Sequence, residues 1–198
     1  MSRAAKLFLA SASPRRREIL STLGVRFEVR PSHADETSLR IDDDVEFVRE
    51  AALLKLRGAL EDIETEDAYV LAADTIVCID GHRLGKPVDD EDALRMLRRL
   101  TGKEHVVRTA VALGRVGAGL LGDRLVETHV RFRESMDAEL RRYVATGEPH
   151  DKAGAYGIQG MASGFVVDIR GSYTNVVGLP AAEVVMLLLE HGALQRWP

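Results

Sequence analysis

The chain has 198 residues, 45% of them hydrophobic and 29% charged, with a formal net charge of −4. That balance excludes a disordered or fibrous chain, and the acidic excess argues against general nucleic-acid binding, which demands a basic surface. The single cysteine, Cys78, excludes an intrachain disulfide and fits a reducing cytoplasm, no apolar run could span a membrane, and the four-residue run Leu7-Phe8-Leu9-Ala10 is too short for a signal peptide.

In chain order that run is the first strand, followed by Ser11-Ala12-Ser13-Pro14-Arg15-Arg16-Arg17-Glu18 and then Ile19-Leu20, which read as a tight turn and a helix start. Ser13 suits the N-cap and Pro14 the first helical position. The free N–H groups of such a turn bind anions, and arginines there oppose the helix dipole, so a phosphorylated ligand would give them a purpose. A solvated basic face or a partner site is the competing reading. Phe27-Glu28-Val29 reads as a second strand, leading into a loop that carries Glu36. Asp42-Asp43-Asp44 then caps a helix to about Leu60, with Val45, Val48, Ala52 and Leu56 on one stripe. Lys55 falls on the same face, where a lysine either snorkels outward or reaches into a cleft.

Residues 69–79 form a strongly apolar strand interrupted by Asp74. A carboxylate there is costly unless a neighbouring helix satisfies it, or unless it holds a divalent cation or takes a proton from water. Cys78 in the same run reads as a small buried hydrophobe. Gly85-Lys86-Pro87 is a turn that could return beside Asp74. Residues 89–100 read as a helix with acids in its first turn and arginines in its last, 106–116 and 121–132 as a long hairpin, and 136–145 as a helix. A glycine-rich loop runs through Gly160, 164–169 is a strand, and 180–189 is the closing helix. Gly117-Ala118-Gly119-Leu120-Leu121-Gly122 matches the dinucleotide fingerprint G-x-G-x-x-G, but a strand follows it where the fingerprint needs a helix, so a hairpin connection is the better reading. No linker divides the chain, which reads as one α/β unit with a mixed sheet.

These residues share a chemical purpose. Cleaving a phosphoanhydride needs cations around phosphate oxygens, a metal to neutralise charge and help activate water, and an acid to orient or deprotonate that water. Arg15, Arg16, Lys55 and Lys86 can supply the cations, and Asp74 and Glu36 the acids.

Ser11-Ala12-Ser13-Pro14-Arg15-Arg16, Ala73-Asp74-Thr75, Gly85-Lys86-Pro87, the block from Asp151-Lys152-Ala153-Gly154 to Ile158-Gln159-Gly160, and Val177-Gly178-Leu179-Pro180 together resemble the Maf family of nucleoside triphosphate pyrophosphatases. The resemblance spans nearly the whole chain in order. It implies a hydrolase that cuts a nucleoside triphosphate between the α and β phosphates with Mg²⁺ or Mn²⁺. The implied fold is a single two-lobed α/β domain with a long mixed β-sheet flanked by helices and a cleft between the lobes, similar to inosine triphosphate pyrophosphatases. Asp74 matches the family's proton acceptor and Glu36 an acidic position that would help hold metal. Arg15, Thr75 and Gln159 match positions that mark the branch acting on dTTP and UTP. The other main branch carries Ser-Asp-Gln and Ser-Glu-Gly at the corresponding places and prefers methylated GTP. The resemblance therefore implies a nucleoside triphosphate as partner, neither nucleic acid nor membrane, a cytoplasmic setting, and a homodimer as an allowed state. Lys152 and Asp151 fit either a loop-bracing ion pair or a substrate contact, Tyr156 either core packing or base stacking, and Arg17 is expected to face solvent.

Overall fold

The computed structural model describes residues 6–35 and 38–198. In chain order the elements are β1 (Leu7–Leu9), α1 (Pro14–Thr22), β2 (Glu28–Val29), α2 (Asp44–Asp62), β3 (Tyr69–Ile79), β4 (His82–Leu84), α3 (Asp90–Leu100), β5 (Glu104–Arg115), β6 (Gly119–Phe132), α4 (Asp137–Val144), β7 (Val166–Arg170), α5 (Tyr173–Val177) and α6 (Ala181–Glu190). Short 3₁₀ turns occupy Glu148–Asp151, Ala153–Ala155 and Met161–Phe165. The strands form a seven-stranded sheet of order β2-β1-β3-β5-β6-β7, with β4 paired to β3. β1 runs parallel to β2 and β3, with Phe8 opposite both Glu28 and Val70, whereas β4 is antiparallel to β3 and β7 to β6. The sheet is therefore mixed, as the alternation of strand and helix patterns predicts.

The chain divides into two compact units, and β3, β5 and β6 each contribute to both. The first unit comprises the chain up to Asp74, Thr109–Val126 and Gly178–Pro198. Parallel strands covered on both faces read as continuous apolar runs, and β1 and the first half of β3 are buried throughout. Against them α2 lays Val48, Ala51, Ala52, Leu56 and Ala59 at helical spacing. Phe8, Ala10, Leu56, Ala59, Ile63, Val70 and Ala72 meet in one core cluster. The start of α2 is fixed by the Asp43 side chain, which accepts from the Glu46 amide at 2.8 Å.

The second unit comprises Thr75–Arg108 and Glu127–Val177. There α3 packs on α4 and on the Ala153–Ala155 turn. Its aromatic core joins His105, Phe132, Tyr156, Phe165 and Tyr143, with ring centroids 4.9 to 6.0 Å apart and mostly edge to face.

The fingerprint-like glycines make a hairpin turn. Gly117 and Gly119 adopt φ of 81° and 80° at the connection between β5 and β6, and Gly122 lies inside β6. The turn needs the left-handed conformation that glycine takes without steric cost. Beyond the sequence pattern lie the five-residue α5 and the 3₁₀ turns into which the glycine-rich loop and its flanks fold. No helix among the described residues is long and apolar enough to cross a membrane.

Candidate active site

Asp74 lies on β3 two residues beyond Ala72 and four beyond Val70, so strand alternation puts its side chain on the face those residues share. That face packs against α2 through Leu56 and Ala59. Lys55 precedes Leu56 on the same helix, and its Nζ donates to Asp74 Oδ1 at 2.7 Å. The two side chains are only 16% and 10% exposed. Of the two fates open to an inward lysine, the structure shows the inward one, and the helix satisfies the strand's carboxylate. Thr75, the next residue, is half-buried and belongs by the same alternation to the opposite face of the strand.

The arginine turn separates its three cations. Ser13 occupies the N-cap of α1 and Pro14 its first turn, but the Ser13 side chain makes no capping bond. Instead the Ser13 amide donates to Ser11 Oγ at 3.2 Å. Arg16 is 8% exposed and lies on the helix face of Ile19 and Leu20. Its Nε donates to the Gly178 carbonyl at 2.8 Å, and one terminal nitrogen donates to the Ala73 carbonyl at 2.8 Å and to Ser11 Oγ at 3.2 Å. Those bonds make Arg16 a brace between α1, the residue before Asp74 and the chain leading into α6. Phosphate contact through the same two nitrogens would have to break them. Arg15 is half-buried and Arg17 exposed, as expected of a residue facing solvent.

In the second unit, Lys86 is exposed on the turn that follows β4. The Gly85 carbonyl of that turn accepts from the Gly154 amide at 3.0 Å, which fastens it to the glycine-rich block. Within the block, the Gly160 amide donates to the Gly157 carbonyl at 3.0 Å, closing a four-residue turn with Ile158 and Gln159 at its centre. Ile158 is buried and Gln159 exposed, so the apolar residue anchors the turn and the amide side chain points outward. Lys152 Nζ donates to Asp151 Oδ1 and to the Glu148 carbonyl, both at 2.6 Å, which is the bracing arrangement. Tyr156 packs in the ring cluster with its hydroxyl 2.8 Å from His105 Nε2. Burial pushes the Tyr156 phenol above its ordinary value and draws the His105 imidazole down to about 4.

Sequence reasoning missed Glu148 and Tyr143. The Glu148 carboxylate accepts from the Tyr143 hydroxyl and from the Met161 amide, each at 2.9 Å. Burial and that carboxylate push the Tyr143 phenol up. The available signal was an acid immediately before a glycine-rich block, a place where backbone N–H groups need acceptors.

Glu36 lies outside the described residues. Among the described residues no three His, Cys, Asp or Glu side chains gather closely enough to hold a metal ion. Asp74 does offer the hard oxygens that Mg²⁺ and Mn²⁺ take, and Mg²⁺ is commonly held by one or two carboxylates together with phosphate oxygens and water. The donor set fits a metal that arrives with a phosphorylated ligand.

The model of the family described as Maf-like protein matches residues 6–191. Among similar relatives, a protein of Syntrophus aciditrophicus (strain SB) named dTTP/UTP pyrophosphatase is 48% identical over 191 residues, covering 96% of this chain and 91% of the relative. Proteins of the same name from Desulfotalea psychrophila and Anaeromyxobacter dehalogenans (strain 2CP-1) are also 48% identical, over 188 and 197 residues, covering 95% and 98% of this chain and equal shares of their own. Among solved structures, the Staphylococcus aureus Ham1 protein superposes with a TM-score of 0.50 at 13% identity, covering 94% of this chain and 99% of its own, which is a likeness of fold. With the family match extending from β1 into α6, and relatives at nearly half identity along almost the full chain, this protein belongs to the Maf-like family.

Proposed function

We propose that this protein is a nucleoside triphosphate pyrophosphatase that hydrolyses dTTP and UTP to the monophosphate and pyrophosphate. The observation that carries the reading is Asp74, an acid buried in an apolar strand and held by Lys55 at 2.7 Å, in a chain whose relatives carry the name dTTP/UTP pyrophosphatase. Water attacks the α-phosphorus, a bond forms from its oxygen to that phosphorus, and the bond to the bridging oxygen breaks so that pyrophosphate departs. Asp74 orients the water and accepts its proton at a carboxylate oxygen, while the Lys55 ammonium fixes the carboxylate through Oδ1. Arg15 and Lys86 are assigned to the phosphate oxygens, where a planar fork and a mobile point charge suit different parts of a triphosphate. Arg16 acts behind them by holding the Ala73 carbonyl next to Asp74. Gln159, with an amide donor and an acceptor, is assigned to the pyrimidine edge, which presents both, and Thr75 to substrate binding. Asp74, with Glu36, would hold Mg²⁺ or Mn²⁺. When bound, that ion neutralises charge on the phosphates and favours ionisation of a nearby water. The buried Cys78 thiol, outside any disulfide, supports a cytoplasmic setting.

Incubation with each nucleoside triphosphate and Mg²⁺ or Mn²⁺, followed by product identification, tests the reading. Expected products are dTMP or UMP with pyrophosphate, and Asp74→Asn should lower kcat by at least about 10³-fold with the fold retained by circular dichroism. Orthophosphate with a nucleoside diphosphate, or near-normal turnover in Asp74→Asn, would refute it.

A further inference from the structure

The turn that presents Gln159 is held at both ends by one hydrogen-bonded group. At the leading end, the Gly157 amide donates to the Tyr143 hydroxyl at 3.3 Å, and the Lys152 stem covers Gly157 so closely that a β-carbon there would lie 2.5 Å from Cε. At the trailing end the Glu148 carboxylate lies against Gly160, where a β-carbon would stand 2.5 Å from Cδ and Oε2. Glu148 Oε2 accepts from the Met161 amide at 2.9 Å, and Oε1 accepts from the Tyr143 hydroxyl at 2.9 Å and the Ala162 amide at 3.5 Å. The Tyr143 hydroxyl thus accepts from one end of the turn and donates to the acid that grips the other.

A neutral side chain could not do this. An ionised carboxylate offers about four acceptor positions and no donor, so it takes three donors at once with charge-assisted strength. It also satisfies the first N–H groups of the Met161–Phe165 turn, which have no partner within that turn. The two glycines remove the β-carbons that would push the carboxylate and the lysine stem away. An exposed glutamine on a four-residue turn would otherwise sample many orientations, and ordering it at each binding event costs about 1 kcal/mol of substrate affinity.

Resting on the reading of Gln159 as the residue that contacts the base, we propose that Glu148, through Tyr143 and Gly160, is the positioning residue that sets the preference for pyrimidine over purine nucleotides. Discrimination of this kind is strong only when the donor and acceptor are held where the correct base meets them, because the wrong base then leaves them unpaired.

Steady-state kinetics with UTP, dTTP and GTP on the full chain, comparing Glu148→Ala, Tyr143→Phe, Gln159→Ala and the Glu148→Ala/Gln159→Ala double variant, test this. Glu148→Ala should raise KM for UTP and dTTP about tenfold with kcat changed less than about threefold, and lower the UTP-to-GTP ratio of kcat/KM toward that of Gln159→Ala. Tyr143→Phe should move the ratio the same way by less, and the double variant should lose no more selectivity than Gln159→Ala alone, since the two residues act as a unit. A purely structural role would lower the melting temperature and leave the ratio where it was, which would overturn the proposal. If Gln159→Ala lowers the ratio but Glu148→Ala and Tyr143→Phe do not, the positioning role is wrong while the role of Gln159 stands. If Gln159→Ala leaves the ratio intact, both are wrong. Should Glu148→Ala not fold, Tyr143→Phe decides the matter, because it removes one hydroxyl and keeps the ring.

Discussion

On the face of β3 that carries Val70 and Ala72, the Asp74 carboxylate has lost most of its water, and the Lys55 ammonium is the group that compensates it. Removing one member of such a pair is costlier than removing both, since the survivor is left charged and poorly solvated. Lys55→Met should therefore destabilise the protein by about 3 kcal/mol, or roughly 6–12 °C in a chain of this size. Lys55→Met/Asp74→Asn should recover most of that loss in thermal unfolding while remaining inactive; a double variant no more stable than the single one would show that the pair does not account for the cost. The pair was partly legible in the sequence, since Lys55 falls on the apolar stripe of α2 and Asp74 interrupts an apolar strand, although no pattern in either segment says that they meet. Arg16 was legible as a cation and illegible as a brace. Its spacing of three and four residues from Ile19 and Leu20 marks it as inward-facing, but its acceptors are carbonyls at positions 73 and 178, which only the fold brings near. Glu148 was illegible for a similar reason, as two of its partners are backbone amides of a short 3₁₀ turn that lies thirteen and fourteen residues away.

Elements with a strong period or a long apolar run follow the sequence closely. β3 spans Tyr69–Ile79 as the apolar run predicts, and α2, α3 and α6 begin beside the residues expected to start them. The short elements differ because they carry too few residues for a period: α5 has five, and the 3₁₀ turns have three to five. Their local order comes from hydrogen bonds to distant segments, as when buried Asn175 of α5 donates to the Val107 carbonyl at 3.1 Å and to Thr128 Oγ1 at 3.0 Å. Helix starts, by contrast, are set locally. The Asp89 side chain accepts from the Asp92 amide at 2.8 Å, and the Asp92 carboxylate accepts in return from the Val88 amide at 3.1 Å. Asp89→Ala should cost about 1 kcal/mol, a melting shift of roughly 2–4 °C, with kcat/KM unchanged. A shift of 10 °C would mean that this cap supports more than the end of one helix.

At the scale of the molecule, neither unit is a continuous stretch of sequence, because β3, β5 and β6 pass through both, and no composition shift marks where a strand leaves one unit for the other. The second unit buries a histidine. His105 is 2% exposed at the start of β5, edge to face with Phe132 and Tyr156, and burial holds its imidazole at about 4 against an ordinary 6.5, with the neighbouring Glu104 charge opposing only weakly. Below pH 6.5 the unfolded chain takes up a proton at this position that the folded chain refuses until about pH 4. Unfolding therefore binds protons in that window, and stability falls as the pH falls through it. The drop is about 2.5 pH units at about 1.4 kcal/mol each, so about 3.5 kcal/mol is present above pH 6.5 and gone below about pH 4. Exposed His150 works in the opposite sense: the Gly147 carbonyl and Asp90 raise its value, so what it contributes is lost as the pH rises through its folded-state value. Carboxylates also titrate toward the acid end, and comparison with His105→Gln cancels their effect. The variant should be less stable than the parent at pH 7.5, having lost the contact with Tyr156, and the gap should narrow steadily from pH 6.5 to pH 4.5 in urea unfolding. A gap that stays constant across that range would mean that His105 is protonated inside the fold, with the ring cluster admitting a charge its burial should exclude.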